Sequence, residues 1–483
     1  MNIPRLILAA LSGGSGKTIV SLGLCRHFRK DPLQVRPFKK GPDYIDAAWM
    51  GRAAGHPSSN LDPFLMPASQ VRALFWEQAR GGDLAIIEGN RGLFDGKDVA
   101  GTCSTAELAK LLQTPVILII DCTKMTRTVA ALVLGCSGFD PDLHLAGVIF
   151  NQTAGERHRA MLTRSVEAYT DVPVLGALPK LRHNPIPERH MGLVSDREYE
   201  AEASLTDLGQ TMNEWLDTDR ILNIARSAGP VSEVPELVWP GRVIETADKV
   251  RIGVVRDAAL WFYYEENFQA LRKAGADVVE ISLLSPDPWP ELHGLYLGGG
   301  FPETQAETLS RNLTVLERIQ RLAADGLPIY AECGGLMYLG ESIHCNGRKF
   351  PMAAVLPFGT DLCAKPQGHG YTRARVRRGN PFHALGETIQ GHEFHYSRIS
   401  PGSDSSEYAL EMVRGHGIEN KLDGLISRNT FATYTHIHAL GALPWAGHFT
   451  RAACSYKRHR QVSSLPCPCI VAEGDVTGPI EIS

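Results

Sequence analysis

The sequence predicts an α/β protein of two parallel-sheet units, and three observations predict it. Continuous apolar runs alternate with helix-like segments and end in polar residues, the pattern of strands buried on both faces with a site at their C-terminal ends. The glycine-rich stretch Ser12-Gly13-Gly14-Ser15-Gly16-Lys17-Thr18 follows one such run and opens a helix. The stretch Ala331-Glu332-Cys333-Gly334-Gly335 follows another. At 483 residues the chain is too long for one hydrophobic core.

Taken in order, residues 6–11 predict a first buried strand and 17–29 a helix. Residues 84–87 predict a strand ending in Glu88-Gly89, 116–120 one ending at Asp121, and 147–150 one ending at Asn151. A mixed stretch at 206–248 holds a helical segment at 208–224 and a proline-bearing link at 229–241, where the boundary is placed. A second series begins near Lys249. It predicts strands at 250–255, 278–281, 294–297 and 327–330 and a helix at 264–274. The strand at 294–297 runs into Gly298-Gly299-Gly300, and that at 327–330 leads to Cys333. The resulting division is 1–205, a linker at 206–248, a second domain at 249–448 and a tail at 449–483. In the tail, Cys467 and Cys469 are too close together for a zinc knuckle, and Lys457-Arg458-His459-Arg460 reads as a solvated charge run.

Composition excludes several classes. Hydrophobic residues make up 43% and charged residues 21%, as in ordinary globular proteins. A net charge of −4 argues against a general nucleic-acid binder, whose footprint is basic. The ten cysteines are scattered and the first residues lack a secretory pattern, so reduced thiols and a cytoplasmic setting are expected. No apolar run is long enough to span a membrane.

The glycine-rich loop has the parts to hold ATP. Backbone N–H groups of Gly13, Gly14, Ser15 and Gly16 can turn towards phosphate oxygens, Lys17 can reach the β and γ phosphates, and the Thr18 hydroxyl can ligate Mg²⁺. Leu11 stands where the usual pattern has its first glycine, and the Gly13-Gly14 pair suits the deviant loop of the dethiobiotin-synthetase and partition-ATPase group. Carboxylates should complete a hard-cation site. Glu88 and Asp121 at strand ends and Asp43, Asp46 and Asp95 in loops are the candidates, with Asp43 and Glu88 preferred. Asn151, at a strand end, is expected on the nucleotide.

Cys333 sits at a strand-to-helix turn stripped to glycine, the logic of a nucleophile elbow. The helix N-terminus is expected to favour thiolate. His436 or His438 could be the base, and the backbone N–H groups of Gly299, Gly300 and Gly334 an oxyanion hole. A thiol that splits glutamine beside a loop that uses ATP points to amide synthesis.

Further motifs make the chain resemble the cobyrinic acid a,c-diamide synthase family and its hydrogenobyrinic acid counterparts. They include 38–46 (Phe-Lys-Lys-Gly-Pro-Asp-Tyr-Ile-Asp), Asn60-Leu61-Asp62, Gly92-Leu93-Phe94-Asp95-Gly96, Ser104-Thr105-Ala106 and 187–193 (Pro-Glu-Arg-His-Met-Gly-Leu). Later come Arg256-Asp257, Phe262-Tyr263-Tyr264, 296–300, 331–335 and 391–397. The resemblance covers about residues 4–448. It implies a dethiobiotin-synthetase-like P-loop domain that binds MgATP and a tetrapyrrole polycarboxylate. This is followed by a flavodoxin-like class I glutamine amidotransferase domain of the cobyric-acid type. The implied chemistry phosphorylates the c and a carboxylates and displaces phosphate with ammonia released at Cys333. His436 matches the activating histidine. Ordinary class I enzymes carry glutamate two positions later, where this chain has His438, so the third member of the triad is open.

Lys39, Lys40 and Arg91 are candidates for substrate carboxylates, Tyr44 and Asp46 for the tetrapyrrole or metal, and Asp95 for the substrate. Asn90-Arg91 add polarity where the family is apolar. Cobyrinate, hydrogenobyrinate and nickel sirohydrochlorin remain open as substrates, and a homodimer remains open as the assembly. Cobyric acid synthase fits the 41–46 motif less well. A partition-type nucleotide switch is the reading from a different class, and it would need no Cys333.

Overall fold

The computed structural model describes residues 3–30, 33–181, 186–189, 192–193, 202–230, 238–239, 249–401 and 407–463. The first unit is a seven-stranded sheet, with β1 (Arg5–Ala10), β2 (Val35–Lys40), β3 (Ser59–Leu61), β4 (Leu84–Glu88), β5 (Val116–Asp121), β6 (Leu145–Thr153) and β7 (Val174–Pro179). Its order is β3-β2-β4-β1-β5-β6-β7, with every pairing parallel. The six residues of β1 are all buried, as a strand covered on both faces requires. Helices α1 (Lys17–Lys30) and α2 (Ile45–Ala54) cover one face, and α3 (Ala68–Ala79), α4 (Thr105–Leu111), α5 (Thr128–Phe139) and α6 (Glu156–Tyr169) the other.

Strand β2 is absent from the sequence prediction because VRPFKK carries three cations and a proline, yet Lys39 and Lys40 on it are buried. The expected linker also requires correction. Helices α7 (Glu202–Trp215) and α8 (Thr218–Arg226) place Leu205, Leu208, Met212, Leu216, Ile221 and Ala225 in the first unit's core. That unit therefore continues to about Arg226. The single helix expected at 208–224 is divided at Asp217, whose carboxylate accepts from Arg220 N at 3.0 Å and caps α8.

The second unit is a ten-stranded mixed sheet. Five neighbours are parallel: Ala276–Ile281, Val250–Val255, Gly294–Leu297, Ile329–Glu332 and Thr430–Thr433. An antiparallel extension follows through Leu422–Ser427, Glu407–Arg414, Gly368–Val376 and Thr388–His395 to His436–Ile437. The closing helix Pro444–Ser463 buries Trp445, Phe449 and Ala453 against Tyr296, Tyr330, Phe382 and Phe431. The tail expected from Phe449 therefore begins inside a packed helix, and residues 467–469 lie outside the described residues. Among the described residues, no helix is long and apolar enough to cross a membrane.

The two units meet through a buried cluster. Tyr44, Phe64, Leu65 and Cys103 of the first pack with Trp261, Phe262, Tyr264 and Phe301 of the second. Tyr371 Oη donates to Asp62 Oδ2 across the junction at 2.8 Å, and Arg91 Nη2 lies 3.1 Å from His369 Nε2.

Candidate functional site

The glycine-rich loop links β1 to α1. Gly14 and Gly16 have φ of 75° and 90°, a backbone that side chains disfavour. Among the described residues, a Cβ on Gly13 or Gly14 would meet nothing within 4 Å, so the backbone there is open to a ligand. Lys17 Nζ donates to the Ser12 and Arg91 carbonyls at 3.0 and 2.9 Å. Burial lowers its pKa below the ordinary lysine value. Asn151 lies beneath the loop, where its Nδ2 donates to Ser15 O at 3.0 Å. The side chain expected on the nucleotide thus also braces the loop.

Beside the loop is a cluster of opposite charges. Thr18 Oγ1 donates to Glu88 Oε1 at 2.8 Å and to Asp46 Oδ2 at 3.3 Å. Lys39 Nζ bonds both carboxylates at 2.8 Å. Burial opposes the Lys39 charge, but Asp46 and Glu88 raise its pKa well above the ordinary value. Two expectations change here. Lys39 is committed to these carboxylates and does not line the cavity. Asp46, rather than Asp43, is the aspartate on Thr18, because Asp43 Oδ1 accepts from Asp46 N at 2.9 Å. Burial, then Asp46, pushes the Asp43 carboxyl up to about 7. Among the described residues no trio of His, Cys, Asp or Glu forms a ready metal cage. The oxygen donors of Thr18, Glu88 and Asp46 nevertheless suit Mg²⁺, which keeps several waters. Glu88 Oε2, buried with no hydrogen-bond partner among the described residues, is placed to meet such a cation.

Cys333 has φ 46° and ψ −97° and directly precedes the helix Gly334–Leu339. The strain is held by Cys333 N donating to Thr433 O at 2.8 Å and Gly335 N to Gly298 O at 2.9 Å. Cys333 is 5% exposed. Burial, then Glu303 and Glu332, pushes its pKa far above the ordinary value. The expected thiolate bias of the helix N-terminus is overridden, so the thiol needs a base. The backbone N of Gly300 lies 3.0 Å from where a Gly334 Cβ would stand, and a Gly299 Cβ would come within 2.5 Å of His436 Cε1. The three glycines and the imidazole therefore share one small space around the turn.

Sequence reasoning missed the carboxylate of this centre. His436 Nδ1 donates to Glu332 Oε2 at 3.2 Å, and Glu332 Oε1 accepts from Ile437 N at 3.3 Å. A proton held at Nδ1 leaves Nε2 as the basic nitrogen. The signal was present, since Glu332 is the acidic end of the strand that presents Cys333. His438 faces a separate carboxylate, with Nε2 3.5 Å from Glu266 Oε2. Asp423 holds the approach to His436, accepting from Thr433 Oγ1 at 2.7 Å and Tyr434 N at 3.1 Å.

Tyr44 is not on an open substrate surface. Its ring lies 5.4 Å from His436, 5.5 Å from His392 and 5.2 Å from Phe262, joining the first unit to the thiol centre. His392 pairs with His436 across adjacent strands and stacks on it at 5.0 Å. The other side of His392 helps bound a cavity of about 440 Å³ between the units, which Lys40, Arg91 and Asp95 also line.

Two family models match the chain. Residues 6–194 match the CobQ/CobB/MinD/ParA nucleotide binding domain, and 251–443 match the CobB/CobQ-like glutamine amidotransferase domain. The cobyrinate a,c-diamide synthase of Magnetococcus marinus is 40% identical over 452 residues, covering 93% of this chain and 97% of the relative. The chain belongs to the cobyrinate a,c-diamide synthase family. The relative of the same name from Archaeoglobus fulgidus is 38% identical, covering 95% of this chain and 99% of its own. That from Salmonella typhimurium is 38% identical, at 92% and 97%. A nucleotide-binding domain and a glutamine amidotransferase domain thus occupy the two units described above, and the chain is a carbon–nitrogen ligase using glutamine as amido donor.

Proposed function

We propose that the protein amidates the a and c carboxylates of cobyrinate, using ATP and glutamine, in cobalamin synthesis. A carboxylate is a poor electrophile, so one of its oxygens first attacks the γ-phosphorus of ATP. ADP leaves, and an acyl phosphate forms. Nitrogen attack at that carbonyl then expels phosphate and, after loss of a proton, leaves the amide. Lys17 and the loop N–H groups hold the phosphates, and Lys40 and Arg91 hold substrate carboxylates at the cavity. Thr18, Glu88 and Asp46 would hold Mg²⁺, which when bound offsets phosphate charge.

Ammonia comes from the second unit. His436 Nε2 takes the Cys333 proton, the sulfur attacks the glutamine amide carbonyl, and Gly300 and Gly334 N–H groups receive the oxyanion. Collapse forms the thioester as the proton passes to the departing nitrogen, and water then releases glutamate.

One observation carries the reading: His392 touches both centres. It stacks on His436 at 5.0 Å and bounds the cavity beside Lys40 and Arg91. The His392 imidazole, with the Tyr44 ring 5.5 Å from it, lies between the nitrogen source and the substrate chamber, where ammonia could pass without meeting bulk water. A nucleotide switch would have no use for such an arrangement. Mass spectrometry of cobyrinate, hydrogenobyrinate and nickel sirohydrochlorin, each incubated with protein, MgATP and glutamine, tests the proposal. Two successive carboxyl-to-amide exchanges on cobyrinate are expected. Exchange only on another macrocycle would reassign the substrate, and none on any would refute the reading.

A further inference from the structure

The interdomain cavity carries charge from both sides. Lys40, Arg91 and Lys97 line it from the nucleotide-binding unit, and His369, Tyr371 and Arg414 from the glutaminase unit. Its two acidic residues are already engaged. Asp95 Oδ2 accepts from Gly92 N at 3.0 Å. Glu393 accepts from His416 N at 2.6 Å and Gly417 N at 3.1 Å. The cations are less committed. Lys97 and Arg414 both lie against the ring of Phe64, at 5.7 and 5.6 Å from its centre, and neither has a salt bridge among the described residues. Phe64 is itself stacked on Tyr371 at 4.2 Å across the junction. An aromatic pair spanning the units thus presents one cation from each to the same opening.

A volume of about 440 Å³ is at the lower end of pockets for drug-sized ligands. It suits one edge of a large macrocycle, with the remaining carboxylates at the rim. Arg414 is exposed there, and a guanidinium can grip a carboxylate with two parallel hydrogen bonds.

We propose that the glutaminase unit itself binds the acyl acceptor, with Arg414 taking a carboxylate of the same macrocycle that Lys40 and Arg91 hold from the nucleotide-binding unit. This rests on the amidation reading above. It makes Arg414 a specificity residue for a substrate whose chemistry takes place on the other unit, and substrate binding becomes a clamp across the junction.

Ammonia-driven amidation separates this role from glutamine chemistry. In Arg414→Gln, KM for cobyrinate is expected to rise about tenfold, the scale of one lost charge-assisted contact. KM for ATP should stay at the parent value. Arg414→Lys, which keeps the charge without the fork, should recover part of the loss. Glutamine hydrolysis by the same preparations serves as the check on folding. A cobyrinate KM within about twofold of the parent in Arg414→Gln would overturn the proposal. So would an equal rise for ATP and cobyrinate. If the parent protein does not amidate cobyrinate at all, it is the functional reading that fails.

Discussion

Replacing Glu332 by glutamine tests the thiol centre most directly. The carboxylate is 1% exposed and faces His436 Nδ1 at 3.2 Å, with Tyr296 Oη donating to it at 3.3 Å. When Nε2 takes the thiol proton, the imidazole becomes a cation beside this anion. At an effective dielectric of about 20, unit charges at that separation attract by roughly 5 kcal/mol, an upper bound on what glutamine forfeits. The amide keeps the shape and one acceptor oxygen, so a loss of about 2–4 kcal/mol is expected, or roughly 30- to 1,000-fold in glutamine-driven turnover. The assay measures amide formation with glutamine and with ammonium salts in parallel. Glutamine-driven synthesis should collapse while ammonia-driven synthesis persists. Equal loss with both donors would mean that Glu332 supports the fold rather than the imidazole. Unchanged glutamine use would remove it from the mechanism.

Lys17→Ala should abolish amide formation with either nitrogen donor while glutamine hydrolysis continues, and full synthesis with ammonia would refute the role given to Lys17. Gly299→Ala drives a methyl group to within 2.5 Å of the His436 ring, so glutaminase activity measured as glutamate release should fall by about 100-fold. Iodoacetamide labelling of Cys333, followed by peptide mass spectrometry without glutamine, should be slow at neutral pH. A raised thiol pKa keeps the protonated form dominant, so labelling should still be climbing from about pH 7 to about pH 9. A plateau below neutrality would show a preformed thiolate.

Strands β1, β4, β5 and β6 and four parallel strands of the second unit were legible as apolar runs, and both turns that carry chemistry follow such runs, whereas β3, β7 and Thr430–Thr433 were not predicted. Strand β2 was not legible. Lys39 on it is buried because Glu88 and Asp46 neutralise it, and the Glu88 pairing exists only once β2 lies beside β4. Glu332 was visible but unassigned, since nothing in the sequence separation of 104 residues says that it meets His436. The division of Asp43 and Asp46, and the removal of Tyr44 from the substrate surface, depend on how one turn is directed when α2 begins. Helices α7 and α8 were read as linker because their apolar positions match no motif, although the sheet needs them to cover one face.

The aromatic seam formed by Tyr44, Phe64, Trp261, Phe262 and Phe301 has a practical corollary. Prepared as separate polypeptides, each half would present a greasy face to solvent and would be prone to precipitate. Mixed together, they should find one another, and a protein nicked between its halves should migrate as a single particle in a non-denaturing gel.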